Sequence, residues 1–462
     1  MTSLWTSKAV EQVVGHTSTA PWECKGISID TRTLQKGDLF VALKGEFGDG
    51  HAFLAEAASR GAVAALVSES STTFLPTLPV DDTLKALEQL GVAARIRSKA
   101  LRIAVTGSAG KTSTKEMLKT VLQNQAPTHG SVSSYNNHWG VPLTLARMPQ
   151  DTQFGVFEVG MNHAGEIIPL SRMIQPHIAI ITLIGEAHPG FFNSVDDIAR
   201  AKAEIFEGMT PGGAALLNRD NSYFSFLSDL AEAKGINVFS FGEHPSATYR
   251  LLSYEKEGEG GHIIADIGGT HIAYTVPVSG KHWVTNSLAV LGAVHLAGAD
   301  VKKAAYDLAA IEAIAGRGQA HKGIFTIFDE SYNAQPVSMR AALDVLGQSH
   351  GTRKVAVLGH MVEQGDLSKE RHEALLEPLL ENKIDIVYCC GPDMIHLFNC
   401  LPAPMKGGYA STSAELLPMV LAGVKPGDVV TVKASLRTNI KPIMEALLEK
   451  QKDHPLQQRG VR

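Results

Sequence analysis

The sequence predicts an α/β protein of three domains, and three observations carry that prediction. Apolar strand-like runs alternate with amphipathic helical stretches in two separate series, one from about residue 99 and one from about 316. Alternation of this kind marks parallel sheets covered by helices. An earlier segment gathers short strands around one helix, and a chain of 462 residues, 44% hydrophobic, is long enough for several cores.

In the first domain, set at residues 1–98, the strands are ISID, DLFVAL and AVAALV. The helix HAFLAEAASR stops at Gly61, a good residue just past a helix end, and a turn-rich run, SESSTTFLPTLP, follows the last strand. The second domain, 99–314, runs LRIAVTG, a helix from Thr112, FGVFEVG, HIAIITLIG and a helix from about Ser194. The third, 315–462, runs IFTIF, a helix after Pro336, KVAVLG, a helix from Ser368, DIVYCC, DVVTVK and a last helix to about 450. The polar closing stretch QKDHPLQQRGVR has nothing to bury and is expected to fray.

Composition narrows the function. Net charge is −5 and no basic stripe appears, so a nucleic-acid partner is not expected. The first residues lack a charged-then-apolar secretory pattern, and no apolar run reaches the roughly 20 residues that span a bilayer. Membrane insertion is therefore not expected. Cys24, Cys389, Cys390 and Cys400 have no metal-like spacing, and the adjacent pair is a poor disulfide candidate, which suits a reducing cytoplasm.

The strongest local signal is VTGSAGKTS, Val105 to Ser113, between a buried strand and a helix. Glycines let backbone N–H groups turn around phosphate oxygens, and a helix N-terminus adds partial positive charge. Lys111 would reach the terminal phosphates and the Thr112 hydroxyl would meet Mg²⁺. The general pattern asks for glycine where Val105 stands; taken alone, the stretch could be an ordinary Gly-rich turn. Such a site also needs a carboxylate at the end of a neighbouring strand, and FGVFEVG offers Glu158. A charge closing an apolar strand is also often a plain surface residue.

In SVDDIARAKAEIFEGM, Ile198, Ile205 and Met209 recur at helical spacing, and Lys202 falls on their stripe. It could simply snorkel to solvent. A desolvated lysine, however, has a lowered pKa and a nucleophilic neutral amine, which could capture CO₂ and become a carbamate. Upstream, His188 in GEAHPG could serve a second metal, or be an ordinary loop histidine.

Together these residues resemble the Mur ligases, ATP-dependent amide ligases of peptidoglycan precursor synthesis, over nearly the whole chain. In that family the loop is the shorter Thr-Gly-x-x-Gly-Lys-Thr-Ser, so Thr106, Gly107, Ser108, Ala109, Gly110, Lys111, Thr112 and Ser113 all match. The resemblance implies metal ligands Thr112, Glu158, His188 and a carbamylated Lys202 for two Mg²⁺ ions. It implies nucleotide contacts from Asn286 in HWVTNSLAVLGA, Arg317 in AGRGQ and Asp329 in FDESYNAQP. It further implies a UDP-sugar-binding first domain, a central P-loop ATPase domain and a Rossmann-like last domain.

ISIDTRTLQKGDLFVALKGEFGDGHAF looks like the UDP-sugar segment, with Ser28, Thr31, Arg32, Lys44 and His51 as candidate contacts; guanidinium and ammonium groups suit a diphosphate. Asn136 and Asn137 in SYNNHWGVPLTLARMP, with Tyr332 and Asn333 in DESYNAQP, are similar to the member that adds D-alanyl-D-alanine to a UDP-N-acetylmuramoyl-tripeptide. That likeness implies an acyl phosphate, formed when the tripeptide carboxylate takes the γ-phosphoryl group of ATP, and then attack by the dipeptide amine. A monomer is expected, although no residue in the sequence fixes the oligomeric state. Two stretches depart from the family: Gly359-His360-Met361 replaces Gly-Asp-Met, and KASLRTNI has Ala434 for glycine and Thr438-Asn439 for Ser-Arg, with Arg437 beside them. The alternatives are another Mur-type or folylpolyglutamate-type ligase, or a P-loop ATPase switch without ligation.

Overall fold

The computed structural model describes residues 3–45, 48–69, 73–186, 192, 194–258, 260–313 and 315–452. Three larger sheets follow one another along the chain, beside two two-stranded ones, Trp5–Thr6 with Glu23–Cys24 and Lys44–Gly45 with Gly48–Asp49. The first has four parallel strands in the order Gly26–Ser28, Asp38–Val41, Ala64–Val67, Thr77–Pro79. Its last strand falls inside the stretch read as turns. Prolines are tolerated there because an edge strand leaves one row of backbone groups unpaired. The helix expected from His51 begins as a 3₁₀ turn, Gly50–Phe53, capped by Asp49, and becomes α-helical over Leu54–Ser59.

The central sheet has nine strands. Thr128–Gly130, Phe154–Glu158, Leu101–Thr106, Ile178–Ile181, Ala214–Asn218, Asn237–Gly242 and Tyr249–Glu257 lie parallel in that spatial order. Gly260–Ile267 and Thr270–Val276 then close the sheet as an antiparallel meander. The alternating pattern did not foretell this, because a hairpin through Gly268-Gly269 has no intervening helix to mark it. One face packs on helices Lys111–Gln123 and Lys281–Leu296, the other on Ile167–Ile174 and Val195–Ala203. The third sheet has five parallel strands, Thr326–Glu330, Val429–Lys433, Lys354–Gly359, Ile386–Cys390 and Lys406–Ala410, with Gln319–Lys322 antiparallel on one edge. The helix expected from Ser368 is split into Ser368–Glu373 and Leu376–Glu381, since Pro378 cannot donate a helical hydrogen bond.

The first two units share one apolar core. Leu87 and Leu90 of the helix Thr83–Arg97 pack with Trp5, Leu39 and Leu66 on one side and with Leu143 and Ala146 on the other. Trp5 Nε1 donates to Ala146 O (2.9 Å), Arg147 Nε donates to Ile27 O, and Arg97 lies 3.8 Å over the Trp5 ring. Polar contacts join the third unit to the central one: Arg371 Nε to Glu186 Oε2 (3.1 Å), Arg317 Nη2 to Ser134 Oγ (3.1 Å) and Lys256 Nζ to Gln348 O (2.9 Å).

Candidate active site

The strand Leu101–Thr106 ends in the middle of the central sheet, and the chain turns through 107–110 into the helix Lys111–Gln123. Two glycines make the turn possible. Gly107 has φ +148° and Gly110 φ +81°; a Cβ on the first would lie 2.0 Å from Thr182 Oγ1, and one on the second 2.9 Å from Asn286 Nδ2. Ser108 N donates to Leu183 O (2.7 Å) and its Oγ to Gly185 O (2.8 Å), while Thr182 Oγ1 donates to Ala109 O (2.5 Å). The segment just after the strand Ile178–Ile181 thus braces the loop from the side. Gly107→Ala should weaken ATP binding about tenfold or more, since relieving such an overlap costs about 1–3 kcal/mol. Calorimetric titration of the variant with ATP checks it, and an unchanged affinity contradicts the bracing.

Lys111 Nζ donates to Gly107 O (2.7 Å), folding the side chain over its own loop. Burial and the Arg317 charge pull its pKa down; burial is the larger effect, and Glu158 acts against it. Thr112 Oγ1 lies 3.5 Å from Ser134 Oγ, which also accepts from Arg317. Glu158, 1% exposed at the end of the neighbouring strand, accepts from Asn136 Nδ2 through Oε1 (2.7 Å), and its Oε2 is buried with no hydrogen-bond partner. Asn286 Nδ2 is likewise buried and unpartnered beside Gly110.

Lys202 is 1% exposed on the helix Val195–Ala203, as its place on the apolar stripe implies. Among the described residues no hydrogen bond or ion pair engages its ammonium group. Burial, reinforced by the charge of Lys111, holds its pKa well below the ordinary lysine value. His188 lies outside the described residues. Among those described, no three His, Cys, Asp or Glu side chains gather as a metal site.

A cavity of about 420 Å³ opens over the phosphate loop and runs to the third unit. Its walls bring together Lys111, Glu158, Asn286, Arg317, Tyr332 and Asn333. The Arg317 guanidinium lies 4.1 Å over the Tyr332 ring. Asp329 is set back from the cavity. Its Oδ2 accepts from Gly316 N (2.9 Å) and its Oδ1 from Ser331 N and Oγ (3.1 and 2.6 Å), so it fixes the turn that carries Arg317. The cavity also holds residues that the sequence reading passed over: Thr182, His282, Glu330 and Lys433. Lys433, 2% exposed, donates to Glu330 Oε2 (3.3 Å) and Asn333 O (3.0 Å).

The first-domain candidates lie on two stretches. Ser28 Oγ donates to the backbone of Asp30, Thr31 is buried, and Arg32 pairs with Asp30 at 2.6 Å with its side chain largely exposed. Lys44 pairs with Glu69, exposed. His51 has both ring nitrogens engaged, Nδ1 on Asp49 Oδ1 (2.6 Å) and Nε2 accepting from Ser68 N (2.9 Å), so it braces its own loop. Asn137 Oδ1 accepts from Trp139 N and Gly140 N, capping the helix Gly140–Ala146. Asn136 faces Glu158, whereas Trp139 in the same segment lies against the Lys44–Asp49 hairpin, 2.8 Å from a Cβ placed on Gly45. In the third unit, Ala434 packs against Gly359, and Thr438 Oγ1 lies 3.3 Å from His360 Nδ1.

Three family models match the chain: Mur ligase family, catalytic domain, over residues 23–75; Mur ligase middle domain, over 105–294; and Mur ligase, glutamate ligase domain, over 316–436. A Rickettsia prowazekii protein named UDP-N-acetylmuramoyl-tripeptide–D-alanyl-D-alanine ligase is 33% identical over 446 residues, 96% of this chain and 99% of the relative. The chain belongs to the Mur ligase family. Among solved Mur ligases, MurF from Acinetobacter baumannii superposes with a TM-score of 0.86 at 32% identity, covering 96% of this chain and 99% of that one. MurF from Thermotoga maritima, solved in complex with ADP, superposes at 0.79 with 25% identity, covering 92% and 98%.

Proposed function

We propose that this Mur ligase joins D-alanyl-D-alanine to the terminal carboxylate of a UDP-N-acetylmuramoyl-tripeptide, with ATP converted to ADP and phosphate. The observation that carries the reading is the cavity joining the phosphate loop to Glu330, Tyr332 and Lys433 of the third unit. An ATP-splitting loop that opens on a second domain suits transfer of an activated acyl group to an acceptor held there. A carboxylate cannot be displaced by an amine in water without a leaving group, and phosphorylation supplies one.

The residues fit the groups the reaction needs. The loop glycines leave room for phosphate oxygens where a Cβ would intrude, and Asn286 has an unused donor beside them. The orphaned Glu158 Oε2 is a natural oxygen ligand for Mg²⁺, with Thr112 nearby on the helix. A carbamate on Lys202 would supply another carboxylate, with His188 completing a second set. Bound Mg²⁺ would neutralise charge on the transferring phosphoryl group. Lys111 adds its ammonium charge there, Arg317 and Tyr332 clamp the nucleotide from the third unit, and Ser134 ties Arg317 to Thr112. Ser28, Thr31, Arg32, Lys44 and His51 line up as the sugar-nucleotide end, and Asn136 and Asn137 as the peptide path. We place the domains at 1–98, 99–314 and 315–462, working as a cytoplasmic monomer. No helix among the described residues is long and apolar enough to cross a membrane.

Incubation with ATP, Mg²⁺, UDP-N-acetylmuramoyl-tripeptide and D-alanyl-D-alanine should give a product heavier by the dipeptide less one water, with one ADP released per ligation. ADP release at the same rate without the tripeptide or the dipeptide, and no new mass, would defeat the reading.

A further inference from the structure

The amine that attacks the activated acyl group must lose a proton, and the cavity contains a group suited to take it. His282 opens the helix Lys281–Leu296, one turn before Asn286, and both line the cavity over the phosphate loop. Of the carboxylates and ammonium groups on the cavity wall, Lys111 is engaged with Gly107 O and Glu330 with Lys433, and Glu158, bonded to Asn136 through Oε1 alone, keeps its free oxygen for the metal proposed above. The imidazole of His282 has no hydrogen-bond partner among the described residues. Its ring lies against Gly280, where a Cβ would come within 2.5 Å of its Cε1, and Val345 of the third unit approaches the same glycine.

We propose that His282 is the general base of the ligation step, an inference that rests on the ligase reading above. The amine nitrogen forms its bond to the acyl carbon, and phosphate departs with the electron pair of the broken C–O bond. The proton shed by the nitrogen passes to a ring nitrogen of His282. Burial favours the neutral ring, which is the form that can accept a proton at neutral pH; Lys433 acts in the same direction, and Glu330 and Asp344 oppose it. A base that works near neutrality is worth about 10²–10⁴-fold.

The test separates the two chemical steps. Acyl-phosphate formation is read by scrambling of ¹⁸O from the β–γ bridge of labelled ATP into the β-nonbridging positions with the UDP-muramoyl-tripeptide alone, and ligation by product mass with dipeptide added. For His282→Gln, ligation at pH 7 should fall about 10²-fold, far more than the scrambling does. The deficit should shrink as pH rises past about 8, where the dipeptide's α-amino group loses its proton unaided. In His282→Ala, added imidazole should restore part of the ligation rate. Equal losses in both steps, or a ligation rate unchanged at every pH, overturns the proposal. Wild-type protein that scrambles and ligates nothing would instead overturn the ligase reading itself.

Discussion

Lys111→Ala should lower turnover roughly 10²-fold or more while leaving the fold intact, because it removes a charge aimed at a phosphoryl group in transfer. The side chain starts at the first residue of the helix Lys111–Gln123 and arches back to Gly107 O, so its ammonium hangs over the loop rather than bracing a core. Burial already lowers its pKa, and a phosphate chain would replace the poor solvation with direct charge pairing. Loss of the group should therefore appear in kcat and in ATP affinity together, whereas the melting temperature should hold. Single-turnover kinetics and a melt measure these separately; near-normal turnover removes the assigned role.

Lys202→Ala should be inactive, by at least about 10²-fold, yet folded, and a short-chain carboxylate should partly restore it. The reasoning is electrostatic. A lone ammonium buried to 1% exposure, facing the charge of Lys111, is poorly placed as a cation. The neutral amine captures CO₂ by forming an N–C bond; counted from the ammonium, two protons leave and that cation becomes an anion, which reverses the sign of the interaction with Lys111. The same burial has a consequence for stability. In the unmodified protein the folded pKa lies below the unfolded one, so between them the unfolded chain binds more protons and stability rises with pH. Lys202→Met should flatten that rise in denaturant titrations from pH 7 to 10. Full activity of Lys202→Ala, or an unmodified lysine in a ligand-bound active state, would remove the carbamate.

The parts legible in the sequence were those whose signal is local. Thr106–Ser113 can be read because strand, loop and helix are contiguous, and Glu158 because it ends the next apolar strand. Lys202 could be read because a helix places every third or fourth residue on one face, and the lysine interrupts an otherwise apolar stripe. His282, Thr182 and Lys433 could not, because each acquires its meaning from a distant segment: His282 from Glu330 and Lys433, Thr182 from the loop at 107–109, Lys433 from Glu330 and Asn333. Lys433 sat in view, at the end of DVVTVK and the start of KASLRTNI, without a role being given to it. Asn137 and His51 illustrate the converse, since their polar atoms hold a helix cap and a loop brace that a list of plausible ligands does not anticipate. The antiparallel meander was missed for want of a helix between strands, and the strand Thr77–Pro79 because its prolines look like turns.

The core shared by the helix Thr83–Arg97, Trp5, Leu143 and Ala146 has a mechanical result. Prising the first two units apart would wet that apolar surface, so any hinging is expected at the third unit, whose ties to the central one include the ion pair Arg371–Glu186 and the bond from Arg317 to Ser134. If the first unit holds the sugar nucleotide as proposed, the gap from there to the phosphate loop is a fixed gauge. An extended peptide advances only about 3.3–3.6 Å per residue, so a donor stem one residue short would leave its carboxylate that far from the loop, however tightly the third unit swings shut.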